Sequence, residues 1–129
     1  ERELEVIGLA GHTEGSVGLL DKKNRVLISG NPIQKNGKIF MFGPHRNMTA
    51  YVDTLKKLLN RANEFDEIWP SHGDLPISPD IIPALIRGAE DILEGKIEGE
   101  ALERFSQPVM AYDIGVSIFL CDMPSGRRL

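Results

Sequence analysis

Gly11-His12-Thr13-Glu14-Gly15-Ser16 is the stretch on which the reading of this chain turns. It follows the alternating apolar run Leu4 to Leu9 and leads into a second run, Ser16 to Leu20, so the histidine stands in a glycine-flanked turn between two strands. Two other places repeat this layout of apolar strand, glycine or hydroxyl turn, and ligand-type side chain. They are Ser29-Gly30-Asn31-Pro32 and Pro70-Ser71-His72-Gly73-Asp74. Where a sheet is flanked by helices, sites gather at the carboxyl ends of strands, because loops converge there. Glycine beside His12 and His72 lets backbone come close and leaves the imidazole room to face a cleft. Neutral imidazole suits zinc, iron and related metals, with its second nitrogen oriented by a neighbour; Thr13, Ser16, Ser71 and Asp74 are near enough in sequence to serve. Taken singly, a histidine in a glycine turn is more often a surface or hydrogen-bonded residue, and Asn31 a turn or capping residue. It is the repetition of the layout that brings a shared site into view.

Outward from these turns, Arg25 to Ser29 reads as a third strand after the polar turn Asp21-Lys22-Lys23-Asn24, ended by Asn31-Pro32 because proline removes a ladder donor. Residues 33–46 read as irregular, with Asn36-Gly37 a turn before the short apolar patch Ile39 to Phe42. At Asn47 the period changes. Val52, Leu55, Leu58, Leu59 and Ala62 share a helical face, with Asn47 as cap. Glu67 to Trp69 is a short strand stopped by Pro70. A second helix begins at Ser78-Pro79 and runs through Ile82, Leu85, Ile86, Ala89 and Leu93 to Gly95. Gly99 to Phe105 permits a third short helix, and Val109 to Tyr112 and Val116 to Leu120 read as closing strands. Strands in a block, then alternating with helices, predict an α/β (α+β) unit, a mixed sheet flanked by helices over residues 1–129.

Composition narrows the function classes. The 129 residues carry 15 Lys and Arg against 19 Asp and Glu, a formal charge of −4, with 41% hydrophobic and 26% charged residues. That balance is ordinary for a globular chain and offers nucleic acid no net attraction. No apolar run approaches the ~18 residues that span a bilayer. Cys121 is the one cysteine, so no intrachain disulfide can form; its apolar surroundings favour a small buried hydrophobe, and its solitude fits a reducing, cytoplasmic setting. The chain opens Glu1-Arg2-Glu3 without Met and is apolar two residues later, which predicts a start inside a domain.

In order and surroundings, Gly11-His12-Thr13-Glu14-Gly15-Ser16, the strand ending Gly30-Asn31, and Pro70-Ser71-His72-Gly73 resemble the C-terminal half of the metallo-β-lactamase superfamily, with its glyoxalase-II-like hydrolase branch most similar. The stretch Glu94-Gly95-Lys96-Ile97-Glu98-Gly99-Glu100 and the closing strands fit the same comparison. The resemblance implies half of an αββα sandwich, with His12, Asn31 and His72 at metal positions. It further implies zinc, iron or manganese in a full-length parent, and Asp74 and His45 on the substrate side. The parent would hydrolyse a thioester, lactone or related ester through metal-activated water.

Two departures accompany the resemblance. The family's His-x-His-x-Asp-His, which belongs to the N-terminal half, is absent; the chain's histidines are His12, His45 and His72. Asn31 stands where the family has an Asp that bridges two metals, and a neutral amide cannot offset two cations as a carboxylate does. Two imidazoles and an amide fall short of the three good protein ligands of catalytic zinc, so the chain alone is expected to be inactive and its metal binding weak or absent. The expected partner is the missing N-terminal half, or a second copy, covering an apolar sheet face. The competing expectation is a non-catalytic structural or interaction module that dimerises through that face.

Overall fold

The computed structural model describes residues 4–11, 16–43 and 46–123. Two four-stranded sheets enclose one core with two helices. The first sheet has the order β1 (Leu4–Gly8), β2 (Val17–Asp21), β3 (Val26–Ile28), β5 (Glu67–Trp69); the second has β4 (Lys38–Met41), β8 (Ile118–Cys121), β7 (Gln107–Asp113), β6 (Glu100–Arg104). β1, β2 and β3 pair antiparallel, whereas β3 and β5 run parallel. The parallel pair matters most, because both strands then deliver their following loops to the same end of the sheet. α1 (Met48–Leu59) and α2 (Ile81–Leu93) complete the element order.

The helices form where apolar spacing and caps agree. The Asn47 side chain accepts the Ala50 amide at 3.0 Å, satisfying a donor that the first turn of α1 leaves open. Tyr51, Val52, Leu55 and Leu58 then face inward. In α2 the Ser78 hydroxyl accepts the Asp80 amide and the Ser78 and Pro79 carbonyls accept the Ile81 and Ile82 amides, so a tight turn leads into the helix proper at Ile81. The Tyr51 and Phe119 rings meet edge to face with centroids 5.7 Å apart, joining α1 to the second sheet.

Two segments differ from the sequence reading. Lys38–Met41, placed in an irregular region with only an apolar patch, is a strand paired parallel to β8. Gly99 to Phe105, read as permitting a helix, is instead the edge strand β6, hydrogen-bonded to β7 from Glu100↔Ala111 to Arg104↔Gln107. Glu-Ala-Leu-Glu-Arg has good helix formers, but ladder pairing with β7 outweighs that weak preference. Its exposed charges also keep the open edge from recruiting another strand.

The two faces of the first sheet are unlike. Leu20, Leu27 and Ile68, aligned across β2, β3 and β5, are buried in the core. The opposite face carries the row Val6, Leu19, Ile28, Trp69 with Leu4 and Val17 beside it. There Val6 is 64%, Val17 55% and Trp69 44% exposed. This is a contiguous apolar surface of the kind that single soluble domains rarely leave bare.

Candidate functional site

Asn31 and His72 enter the site from the ends of the parallel strands. Pairing continues one step past β3 and β5, with the Ser29 amide donating to the Trp69 carbonyl at 3.0 Å, and both chains then turn out of the sheet. The two loops interlock. The Asp74 amide donates to the Lys35 carbonyl at 2.9 Å, and the Asn36 side-chain amide donates to the Asp74 carboxylate at 2.8 Å. Gly73, at φ +84, lies so close to that strand of backbone that a Cβ would stand 2.5 Å from the Lys35 oxygen. Only glycine fits here, for sterics and for backbone sign alike. The result is that Asn31 and His72 line one small cavity of about 150 Å³, with Gln34, Lys38, Phe40 and Arg46. Asp74, expected on the substrate side, is engaged with Asn36 and does not line this cavity.

The loop bearing His12 is held at both ends by described residues. The Leu9 amide donates to the Ser16 carbonyl at 2.8 Å, closing its base. Gly11, at φ +115, presses on α1: a Cβ would lie 2.3 Å from the Tyr51 Cα. The Asn47 amide donates to the Gly11 carbonyl at 2.8 Å, and the Thr54 hydroxyl donates to the Ala10 carbonyl at 2.9 Å. Tyr51 then reaches across and donates its hydroxyl to the Pro32 carbonyl at 2.5 Å. One buried tyrosine thus braces the root of the His12 loop against the residue after Asn31. Burial pushes its phenol far above the ordinary tyrosine range, so it stays a donor at any physiological pH. His12 itself, with Thr13 to Gly15, and His45 lie outside the described residues.

The cavity is a basic one. Lys38 and Arg46 bring two cations, and among the described residues none that lines it is acidic. Arg46 donates to the Phe40 carbonyl at 3.3 Å, and partial burial lowers its pKa from the usual guanidinium value. A larger cleft of about 480 Å³ between β1 and α1 has different chemistry. Its Arg61 guanidinium is already paired with both oxygens of Glu5 at 2.8 Å and with Glu64.

The donor set can be tested against the metal that the resemblance implies. Among the described residues no group of three His, Cys, Asp or Glu side chains could hold a metal ion. His72 and Asn31 supply one imidazole and one amide, fewer than catalytic zinc takes, and Asp74 is turned to Asn36. The residues described do not make a metal centre by themselves.

Sequence reading assigned no role to Tyr51, Gln34, Lys38, Phe40 or Arg46. For two of them a signal was present: Lys38 and Phe40 alternate with the buried Ile39 and Met41, so they share the outward face of a strand. Tyr51 sits beside the apolar stripe begun at Val52, and nothing in the sequence links it to Pro32.

No family model matches the chain. Among curated proteins it is 28% identical over 74 residues to the acyl-coenzyme A thioesterase MBLAC2 of Bos taurus, and equally to that of Homo sapiens; the match covers 56% of this chain and 26% of those proteins. The aligned part is thus about a quarter of the relatives' length. Among solved structures, a metallo-β-lactamase from Pontibacter korlensis aligns with TM-score 0.57 and 18% identity, over 70% of this chain and 42% of its own. ETHE1 from Myxococcus xanthus aligns with TM-score 0.57 and 17% identity, over 73% of this chain and 44% of its own. The chain has the metallo-β-lactamase fold, and its curated relatives are metallo-β-lactamase-domain proteins, as the three loop motifs implied.

Proposed function

We propose that this chain is the C-terminal half of a metal-dependent hydrolase whose full-length form cleaves an acyl thioester or related ester. The observation that carries the reading is the cavity shared by Asn31 and His72 at the ends of two parallel strands, in this fold. Similarity to an acyl-coenzyme A thioesterase supports a thioester over a lactone. In the parent, the bound metal would supply an activated water and polarise the carbonyl. His72, and with it His12, would hold that metal alongside donors from the N-terminal half. Lys38 and Arg46 would hold the carboxylate that hydrolysis leaves on the acyl group. The bare apolar face of the first sheet fits the same reading, as the surface on which the other half packs.

The isolated chain is expected to hold less than ~0.2 metal per molecule after dialysis, because two imidazoles, His12 and His72, and the Asn31 amide fall short of a full donor set. Elemental analysis giving about one zinc, iron or manganese per chain would contradict this. In the full-length parent, Asn31→Asp is expected to raise both metal occupancy and thioester turnover. A parent that hydrolyses no acyl thioester with either residue at 31 overturns the hydrolase reading and leaves a non-catalytic module that pairs through the apolar face.

A further inference from the structure

The β6–β7 hairpin, far in sequence from all three loops, reaches the wall of the Asn31–His72 cavity. Its two-residue turn is Phe105-Ser106, closed by the Arg104↔Gln107 pair, with both turn residues in the left-handed region at φ +52 and +61. Asparagine and glycine are the residues that such turns favour, and a bulky aromatic there is an outlier. Phe105 is nevertheless the most exposed large hydrophobic among the described residues, at 74%. It does not hang free of the molecule: its ring lies 6.0 Å from Phe40 and 6.5 Å from Phe42, centroid to centroid. The Arg104 guanidinium sits over both Phe40 and Phe105, at 5.4 and 5.3 Å from the ring centres. Its Nε is buried without a hydrogen-bond partner among the described residues. Phe40 is common to this aromatic group and to the basic cavity, so the two form one continuous surface.

A cationic pocket continuing onto an aromatic shelf, with the Arg104 guanidinium over the Phe40 and Phe105 rings and the exposed side of Phe105 open to solvent, has the chemistry of an amphiphilic anion. We propose that Lys38 and Arg46 take the carboxyl end of an acyl group and that Phe40, Phe42 and Phe105 carry its hydrocarbon chain. The hairpin tip then acts as a chain-length determinant, and strain at Phe105 is retained because it keeps the ring on the shelf. This rests on the thioester reading above, since the acid released by such hydrolysis is a carboxylate with a hydrocarbon tail. It adds to it a site for that tail, on an element none of the motifs touch.

The test needs no turnover. Titration of the isotopically labelled chain with butanoate, hexanoate and octanoate, followed by amide NMR, should give saturable shifts at Asn31, Gln34, Phe40 and Ser106. Affinity should rise about fourfold for each methylene that leaves water. Octylammonium, with the opposite head charge, should not produce those shifts. Phe105→Ala should weaken octanoate about fivefold and leave butanoate unchanged, while Phe105→Leu restores most of the loss. Arg46→Gln should weaken every acid. Affinity independent of chain length, equal binding of octylammonium, or shifts centred on Val6 and Trp69 would overturn the proposal. A chain that binds octanoate as described, from a parent that cleaves no thioester, would overturn the hydrolase reading and keep the site.

Discussion

Removing the hydroxyl of Tyr51 is the perturbation that most directly tests how the two loops are held together. Tyr51→Phe keeps the ring, its contact with Phe119 and its fill of the core, so no cavity opens. What is lost is one buried hydrogen bond, and what is left behind is the Pro32 carbonyl, stranded away from water. The bond contributes about 1 kcal/mol net, and a stranded acceptor raises the total to about 1.5–2 kcal/mol. A chain of this length gains roughly 0.27 kcal/mol/K of unfolding entropy at its midpoint, so Tm should fall by about 6–7 °C. Thermal unfolding followed by far-ultraviolet circular dichroism measures it, with Tyr51→Ala as the contrast, expected to cost about 3–5 kcal/mol because the whole ring is gone. Amide spectra of Tyr51→Phe should change at both Ala10–Gly11, packed on the Tyr51 backbone, and Ile33–Gln34, beside the carbonyl that its hydroxyl holds. A Tm within 1 °C of the parent chain, or changes confined to one segment, would refute the brace.

Further expectations rest on single features. Gly73→Ala should destabilise by more than 2 kcal/mol, since its Cβ would meet the Lys35 oxygen at 2.5 Å in a φ +84 conformation, and denaturant titration will show whether it does. Glu5 is held down to about 2, from an ordinary 4.5, chiefly by its hydrogen bond from Arg61 and also by Lys22. Its stabilisation is therefore complete above the ordinary carboxylate value and is lost as pH falls toward about 2, so Glu5→Gln should flatten the acid limb of a stability–pH curve. Burial, with Asp122 adding to it, pushes the Cys121 thiol up to about 12, so the folded chain should react with a disulfide reagent at pH 8 at least ~100-fold more slowly than the unfolded one. Trp69 is the one tryptophan in the sequence and is exposed on the apolar face. Its emission should shift to the blue as the chain self-associates with concentration, and Val6→Asp should abolish that shift.

Much of the fold was legible because local signals and tertiary needs agreed. β1, β2, β3 and β5 alternate or run apolar between turn residues, and Asn47 caps α1 where the period changes. β6 was not legible. Every one of its residues but Arg104 is exposed, so no apolar alternation marks it, and only the register with β7 makes it a strand. The loops of the candidate site could be read from their glycines, and Gly73 against Lys35 shows why that residue type is needed. That the loops meet was expected from their repeated layout, but the contacts that hold them, such as Tyr51 with Pro32 and Asp74 with Asn36, could not be read, because their partners are 19 and 38 residues apart. The basic and aromatic lining was hidden for a related reason. Lys38 and Phe40 gain meaning only once β4 is known to be a strand and its outward face is known to adjoin His72.

The apolar face and the candidate site are not independent features of this fold. Ile28 and Trp69 are paired neighbours in the exposed row of the first sheet, and each is the last residue of its strand. Asn31 follows Ile28 by three positions, and His72 follows Trp69 by three. With consecutive Cα atoms ~3.8 Å apart, the chain cannot carry either donor more than about 11 Å from the face that precedes it. A body that covers Ile28 and Trp69 therefore stands at the rim where Asn31 and His72 meet. On the proposed reading, burying the apolar row and adding donors beside His72 would be consequences of a single docking event. Folding and site assembly would then be linked, with the free energy of covering the sheet holding together a set of ligands that this chain supplies only in part.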